Sequence, residues 1–175
     1  MLNVLRRSSG RAKLVRTLHA ALIAQARQPA FFREYGVPDT IDGRFDMVAL
    51  HAWLVFERLR SAGLHDVAQD LSTALFVAFD EALRDLGAGD MGMGPRMKKL
   101  GNAMNGRLLA YEAASDDAAL AEAILRNIYR GAEGHAPATR ALAHYARAAQ
   151  ATLADCDPSG GSLAFPSIPA PAAFA

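Results

Sequence analysis

The stretch that decides the fold is Phe45-Asp46-Met47-Val48-Ala49-Leu50-His51-Ala52-Trp53-Leu54-Val55-Phe56-Glu57-Arg58-Leu59. Phe45, Val48, Ala52, Phe56 and Leu59 recur at the three-and-four spacing of a helix. Met47, Leu50 and Leu54 fill much of the remaining circumference, so this helix belongs inside a core and not on its surface. Asp42 is a candidate N-cap and Gly63 the stop. The uncharged part, Met47 to Phe56, falls well short of the roughly 20 apolar residues of a membrane span.

Working outward, Val67, Leu71, Leu75, Ala78, Ala82 and Leu86 give a second helix ended by Gly87. Phe76, Phe79 and Leu83 widen its apolar surface, and the two neighbours are expected to form the core hairpin. Pro95 suits the first position of a third helix carried by Met97, Leu100, Met104, Leu108 and Tyr111, with Gly101 small enough for close packing. Ser115 is placed to cap a fourth helix with Leu120, Ile124 and Ile128, whose acidic start at Asp116 and Asp117 complements the helix dipole. Pro137 opens a last helix through Leu142, Tyr145, Ala149 and Leu153. No segment alternates with period two for long enough to be a strand. The expected fold is all-α, a single compact bundle of about six helices with an irregular aromatic segment near residues 29–43. Its expected divisions are a basic N-terminal helix (1–28), a helical core (29–131), a C-terminal helix (132–156) and a loose Pro/Gly/Ala-rich tail (157–175).

With 175 residues, 51% of them hydrophobic, the chain is long enough for one domain with a real core. Nineteen basic and eighteen acidic residues leave a net charge of +1, so no global field drives binding to DNA or lipid, and any electrostatic function is local. The lone Cys156 excludes an internal disulfide and a CxxC zinc site. Met1 to Arg33 carries seven bases and no acid. Ala24-Gln25-Ala26 has the form of a signal cleavage site, but His19 and Gln25 interrupt the apolar stretch, and an amphipathic helix explains more. Leu14, Val15, Leu18 and Leu22 share one arc of it, while Lys13, Arg16 and Arg27 lie opposite, as a solvated face or as a contact for lipid headgroups or RNA.

Several chemistries fail on context. Gly87-Ala88-Gly89-Asp90-Met91-Gly92 spells a dinucleotide fingerprint, but a helix precedes it where a strand is required. Gly89 and Gly94 have phosphate-loop spacing, yet Pro95-Arg96 stands where Lys and Ser or Thr belong. Asp66 and Asp70 share a helix face, as a Mg²⁺ pair would, and an all-α Mg²⁺ enzyme or lipid-processing protein is the alternative function. The histidines lack metal-site spacing, and His51 is expected to be a hydrogen-bonded core or interface residue. A haem carrier using His51, Met91 or Met93 is a weaker third reading. No metal and no cofactor is expected.

Two loops remain. Arg96, Lys98 and Lys99 crowd the start of the third helix, where cations oppose the dipole. Phe31, Phe32 and Tyr35 precede a turn, either pinning that loop to the bundle or forming an exposed patch.

At these loops the sequence resembles a known family. Gly36-Val37-Pro38-Asp39-Thr40-Ile41-Asp42-Gly43-Arg44-Phe45-Asp46, then Gly89 to Gly94, Lys98-Lys99 and Gly106-Arg107-Leu108-x-Ala110-Tyr111, are similar to the ubiquinol–cytochrome c reductase chaperones over about Pro29 to Gly131. Pro95-Arg96 departs from the family, which often has lysines there. The resemblance implies a non-enzymatic α-helical assembly factor that binds newly made cytochrome b and assists its entry into the cytochrome bc1 complex. It implies a peripheral place at the cytoplasmic face of a bacterial inner membrane, or the matrix side in mitochondria. Mitochondrial members work with a small helical partner near the ribosomal tunnel exit. Phe31, Phe32, Tyr35, Arg44, Asp90, Arg96, Lys98, Lys99 and Arg107 are then the candidate partner-binding residues. Lys13, Arg16 and Arg27 are the candidate contacts to membrane or ribosome.

Overall fold

The computed structural model describes residues 2–85 and 93–174, with side chains from residue 9 to 85 and from 94 to 174. Asp90, Met91 and most of the glycine-rich segment lie outside the described residues. Seven α-helices are present among those described: α1 (Leu2–Ala26), α2 (Pro29–Arg33), α3 (Ile41–Ser61), α4 (His65–Asp85), α5 (Met93–Glu112), α6 (Asp117–Ile128) and α7 (Ala136–Ala154). Two 3₁₀ turns, Pro158–Gly160 and Pro171–Phe174, follow. The described residues contain no strand.

The helix read first is the axis of the molecule. Every residue of α3 from Phe45 to Val55 is buried, because α1, α4, α5, α6 and α7 all pack around it. Its start differs from expectation. Thr40, not Asp42, is the N-cap, its hydroxyl accepting from Gly43 N–H at 3.1 Å, and Asp42 lies in the first turn instead. Gly43 is required at that point, since a Cβ there would sit 1.9 Å from the Pro38 carbonyl oxygen. The stop is as read: Gly63 takes a left-handed φ of 72°, and Leu64 N–H closes back on Leu59 O at 2.9 Å.

The core hairpin is corrected. α4 buries only Val67, Leu71 and Leu75 fully, so it is an outer helix whose far half, with Phe76 and Phe79 partly covered, leans on a small second cluster of Phe45, Ala49 and Met104. The wide apolar surface that made α4 look central is instead the wall of a cleft. α5 begins at Met93, two residues before Pro95. Asp116, not Ser115, caps α6, accepting from Ala119 N–H at 2.8 Å.

α1 divides as its arc predicts, with Val15, Leu18 and Leu22 buried, Leu14 partly buried, and Lys13, Arg16 and, one residue past the helix end, Arg27 exposed. Its apolar face is spent on α3 and α4, so only the basic face is free for an outside partner. The tail is not loose. Phe165 meets the His51 ring edge-on at 5.7 Å and Phe174 lies 5.2 Å from the His144 ring. Arg58 donates to Cys156 O at 3.2 and 2.7 Å, Arg140 Nε donates to Phe174 O at 2.9 Å, and the Tyr35 hydroxyl donates to Pro169 O.

Candidate functional site

The aromatic segment resolves into three different residues. Phe31 lies in the short helix α2, within the segment expected to be irregular, and is wholly buried. Its ring meets Tyr35, His51 and Tyr145 edge-on, with centroids at 5.8, 5.5 and 5.3 Å. Tyr35 is also buried; its carbonyl accepts from the Tyr129 hydroxyl at 2.9 Å. Burial, with Glu34 adding to it, pushes the Tyr35 phenol up to about 12. Phe31 and Tyr35 are therefore pins, and the exposed-patch reading is corrected for both. Phe32 alone stays half-exposed.

Beneath these pins runs a buried polar chain. Gln25 Nε2 donates to the Tyr145 hydroxyl at 2.9 Å. That hydroxyl, already accepting, gives its hydrogen to His51 Nε2 at 2.9 Å, which leaves Nδ1–H to donate to Met47 O at 2.8 Å. The ring is neutral, and complete burial lowers its pKa to about 4. His51 is the hydrogen-bonded core histidine expected, caged by Phe31 and Phe165.

A second buried polar group escaped sequence reasoning. Asp46 is fully enclosed and meets Arg107 at 2.6 Å and Arg130 at 2.9 Å. Burial raises its carboxyl pKa, and the two guanidiniums pull against that rise. Arg107 also stands over the Phe45 ring at 5.0 Å and donates to Ala103 O at 3.0 Å. Arg130 pays backbone strain for its place, with φ at 57°. Arg107 is thus an internal strut joining α3 to α5, not a free partner contact. The available signal was Asp46 itself, because an acid inside an apolar helical run demands a cation from elsewhere in the chain.

The open surface lies where the loop before α3 meets the far ends of α4 and α5. Ile41, Phe45 and Val48 of α3, Phe79 and Leu83 of α4 and Leu100 of α5 line an apolar cleft of about 250 Å³. Ile41, at the mouth, is 59% exposed. Arg27 and Arg44 stand on its rim and also border a second concavity of about 350 Å³ with Phe32, Arg33 and Asp39. Arg44 Nε binds Asp39 at 2.7 Å, and this hydrogen bond holds the Asp39 carboxyl below the usual carboxylate range. Of the expected residues, the structure brings Arg27, Phe32 and Arg44 together here.

Arg96, Lys98 and Lys99 are exposed along α5, one turn before and beside Leu100, and have no acidic partner among the described residues. Because α5 starts at Met93, only Arg96 falls in the first turn, and the dipole penalty expected for the two lysines is corrected to a small one. Asp66 and Asp70 do not form an open metal face: Arg11 binds them at 3.3 and 2.8 Å. Among the described residues no cluster of three metal-ligating side chains exists, and no helix is long and apolar enough to cross a membrane.

A helical body with an apolar cleft, fixed positive charge at its rim and a row of exposed bases has the make-up of a protein that binds another molecule. Residues 33–160 match the ubiquinol-cytochrome C chaperone family, and the chain belongs to it. The match extends past residue 131 to take in α7. Among solved structures, the crystal structure of the Cbp3 homolog from Brucella abortus is similar at 32% identity, with a TM-score of 0.85, over 96% of this chain and 98% of that one. No curated protein matches the chain.

Proposed function

We propose that this protein is a bc1 assembly chaperone that binds newly made cytochrome b and assists its incorporation into the complex. The family match over residues 33–160 carries the reading, and the exposed bases Arg96, Lys98 and Lys99 give it a surface. Cytochrome b is a polytopic membrane protein, so its chaperone meets polar loops and helix ends at the membrane. A helix studded with exposed cations suits loops of opposite charge. The exposed bases Lys13 and Arg16 of α1 add a second positive face, suited to the ribosome or an anionic membrane surface. The protein then works peripherally, at the cytoplasmic face of the membrane in a bacterium.

The test is cross-linking to newly synthesised cytochrome b with the Arg96→Ser, Lys98→Ser, Lys99→Ser triple variant. These side chains make no contacts that support the core, so the variant should melt like wild type while its cross-linking yield falls several-fold. The wild-type yield should also fall as ionic strength rises, because exposed charge pairs are screened. A variant that melts normally and cross-links at full yield would remove this surface from the mechanism.

A further inference from the structure

We infer that the α3–α4–α5 cleft is a lipid site, taking one acyl chain of an anionic glycerophospholipid with its phosphate at Arg27 and Arg33. This goes beyond client binding and rests on other side chains than the α5 bases. Two concavities of opposite character share a wall. One is hydrocarbon, lined by Ile41, Phe45, Val48, Phe79, Leu83 and Leu100; the other is basic, and Arg27 and Arg44 border both. An apolar slot opening directly onto clustered positive charge has the outline of an amphiphile with an anionic head.

The walls choose among occupants. An extended peptide in the slot would bring N–H and C=O groups, and inward of Arg27 and Arg44 at the rim the aliphatic and phenyl lining offers them no hydrogen-bond partner. An acyl chain brings none. A small free anion would satisfy the arginines and leave the apolar slot facing water. At about 250 Å³ the slot holds part of one chain and not two.

The charge balance chooses the headgroup. Three arginines face one carboxylate in the basic concavity. Asp39 is already held by Arg44 at 2.7 Å, and among the described residues Arg27 and Arg33 have no acidic partner. The uncompensated charge is therefore positive, which fits a phosphodiester carrying no cation of its own, as in phosphatidylglycerol, better than zwitterionic phosphatidylcholine. Ile41, half-exposed at the mouth, gives the site an apolar lip to rest on a bilayer.

The full chain should be titrated calorimetrically with dioctanoyl-phosphatidylglycerol and dioctanoyl-phosphatidylcholine. The expected result is saturable one-to-one binding of the first and at least tenfold weaker binding of the second. Each methylene in the slot contributes about fourfold, so the dihexanoyl homologue, two methylenes shorter per chain, should bind about fifteenfold more weakly if one chain is buried. Ala82 lines the slot from the exposed side of α4, so Ala82→Trp should fill it, lower affinity at least tenfold and leave melting unchanged. The double variant Arg27→Gln, Arg33→Gln should bind both lipids alike. Sedimentation with phosphatidylcholine vesicles, with and without phosphatidylglycerol, should show the same preference. Absence of saturable binding would overturn the proposal, as would full affinity in Ala82→Trp. Competition by glycerol 3-phosphate or an acidic peptide as strong as by the lipid would overturn it too. Ala82→Trp keeps the α5 bases, so it should still cross-link to cytochrome b, and the lipid and client readings fail separately.

Discussion

At the scale of single residues, the aromatic segment shows how little exposure can be read from composition. Phe31 and Phe32 are adjacent in sequence, yet one is sealed among three rings and the other half-exposed beside arginines. Phe31→Ala should therefore cost about 3–5 kcal/mol, lowering the melting temperature on the order of 10 °C, while Phe32→Ala should cost about 1–2 kcal/mol. Thermal melts of the two variants check this; similar losses would contradict the difference in burial. His51 gives a pH signature. Its folded pKa of about 4 lies below its ordinary 6.5, so between those values the unfolded chain binds a proton that the folded chain refuses. Stability is then fully present above about pH 6.5 and falls as the solution is acidified toward pH 4, by about 3 kcal/mol in all. The lowered pKa of His19 acts in the same direction. Urea midpoints from pH 7 to pH 4.5 should show the fall, and in His51→Gln the His51 part of the slope should vanish. That His51 would be internal was legible, since it stands in the most apolar stretch of the chain. Its Tyr145 partner, and the Gln25 behind that hydroxyl, were not, because both lie far away in sequence and no local pattern pairs them with His51.

At the scale of elements, the helices were legible wherever a three-and-four apolar period met a punctuating glycine, proline or capping residue. Boundaries were misread where two capping candidates competed. Thr40 prevailed over Asp42 because Gly43 lets the chain fold tightly against Pro38, a tertiary contact invisible to spacing. The role of α4 was misread because an apolar circumference marks a helix with much to bury, whether against a core or against a visitor to a cleft. The tail was misread for a different reason. Prolines and glycines forbid a regular period, yet Phe165, Ile168 and Phe174 are apolar and find the core singly. Truncation after Asp157 therefore has a stated cost. It removes the Phe165 cover from His51, the Pro169 acceptor of Tyr35 and the Phe174 acceptor of Arg140, and it should lower the melting temperature by several degrees and let the His51 pKa drift back toward 6.5. Proton NMR titration of the histidines reads the second effect; a truncated chain with unchanged melting and an unchanged histidine titration would show that the tail packs without supporting the core.

At the scale of the whole molecule, the surfaces proposed for recognition lie apart from the contacts that give stability. The core is closed by α1, α2, the tail and the Asp46–Arg107 strut, whereas the α5 bases and the basic face of α1 stand outside it and can change without opening it. Such a division suits a chaperone, which must hold a client firmly enough to protect it and release it once assembly proceeds. Contacts dominated by exposed charge do this because they form quickly and stay exchangeable. Deleting the protein should therefore lower assembled bc1 complex while cytochrome b messenger RNA stays at its normal level, since the defect falls after transcription. Returning the Arg96→Ser, Lys98→Ser, Lys99→Ser variant should restore the chaperone's own abundance without restoring the complex. Returning Phe31→Ala should fail by the other route, through reduced abundance of the chaperone itself. Immunoblots for the chaperone, beside native gels for the complex, separate the two. Normal bc1 levels in a clean deletion strain with no related protein would show that this chain is not needed for bc1 assembly.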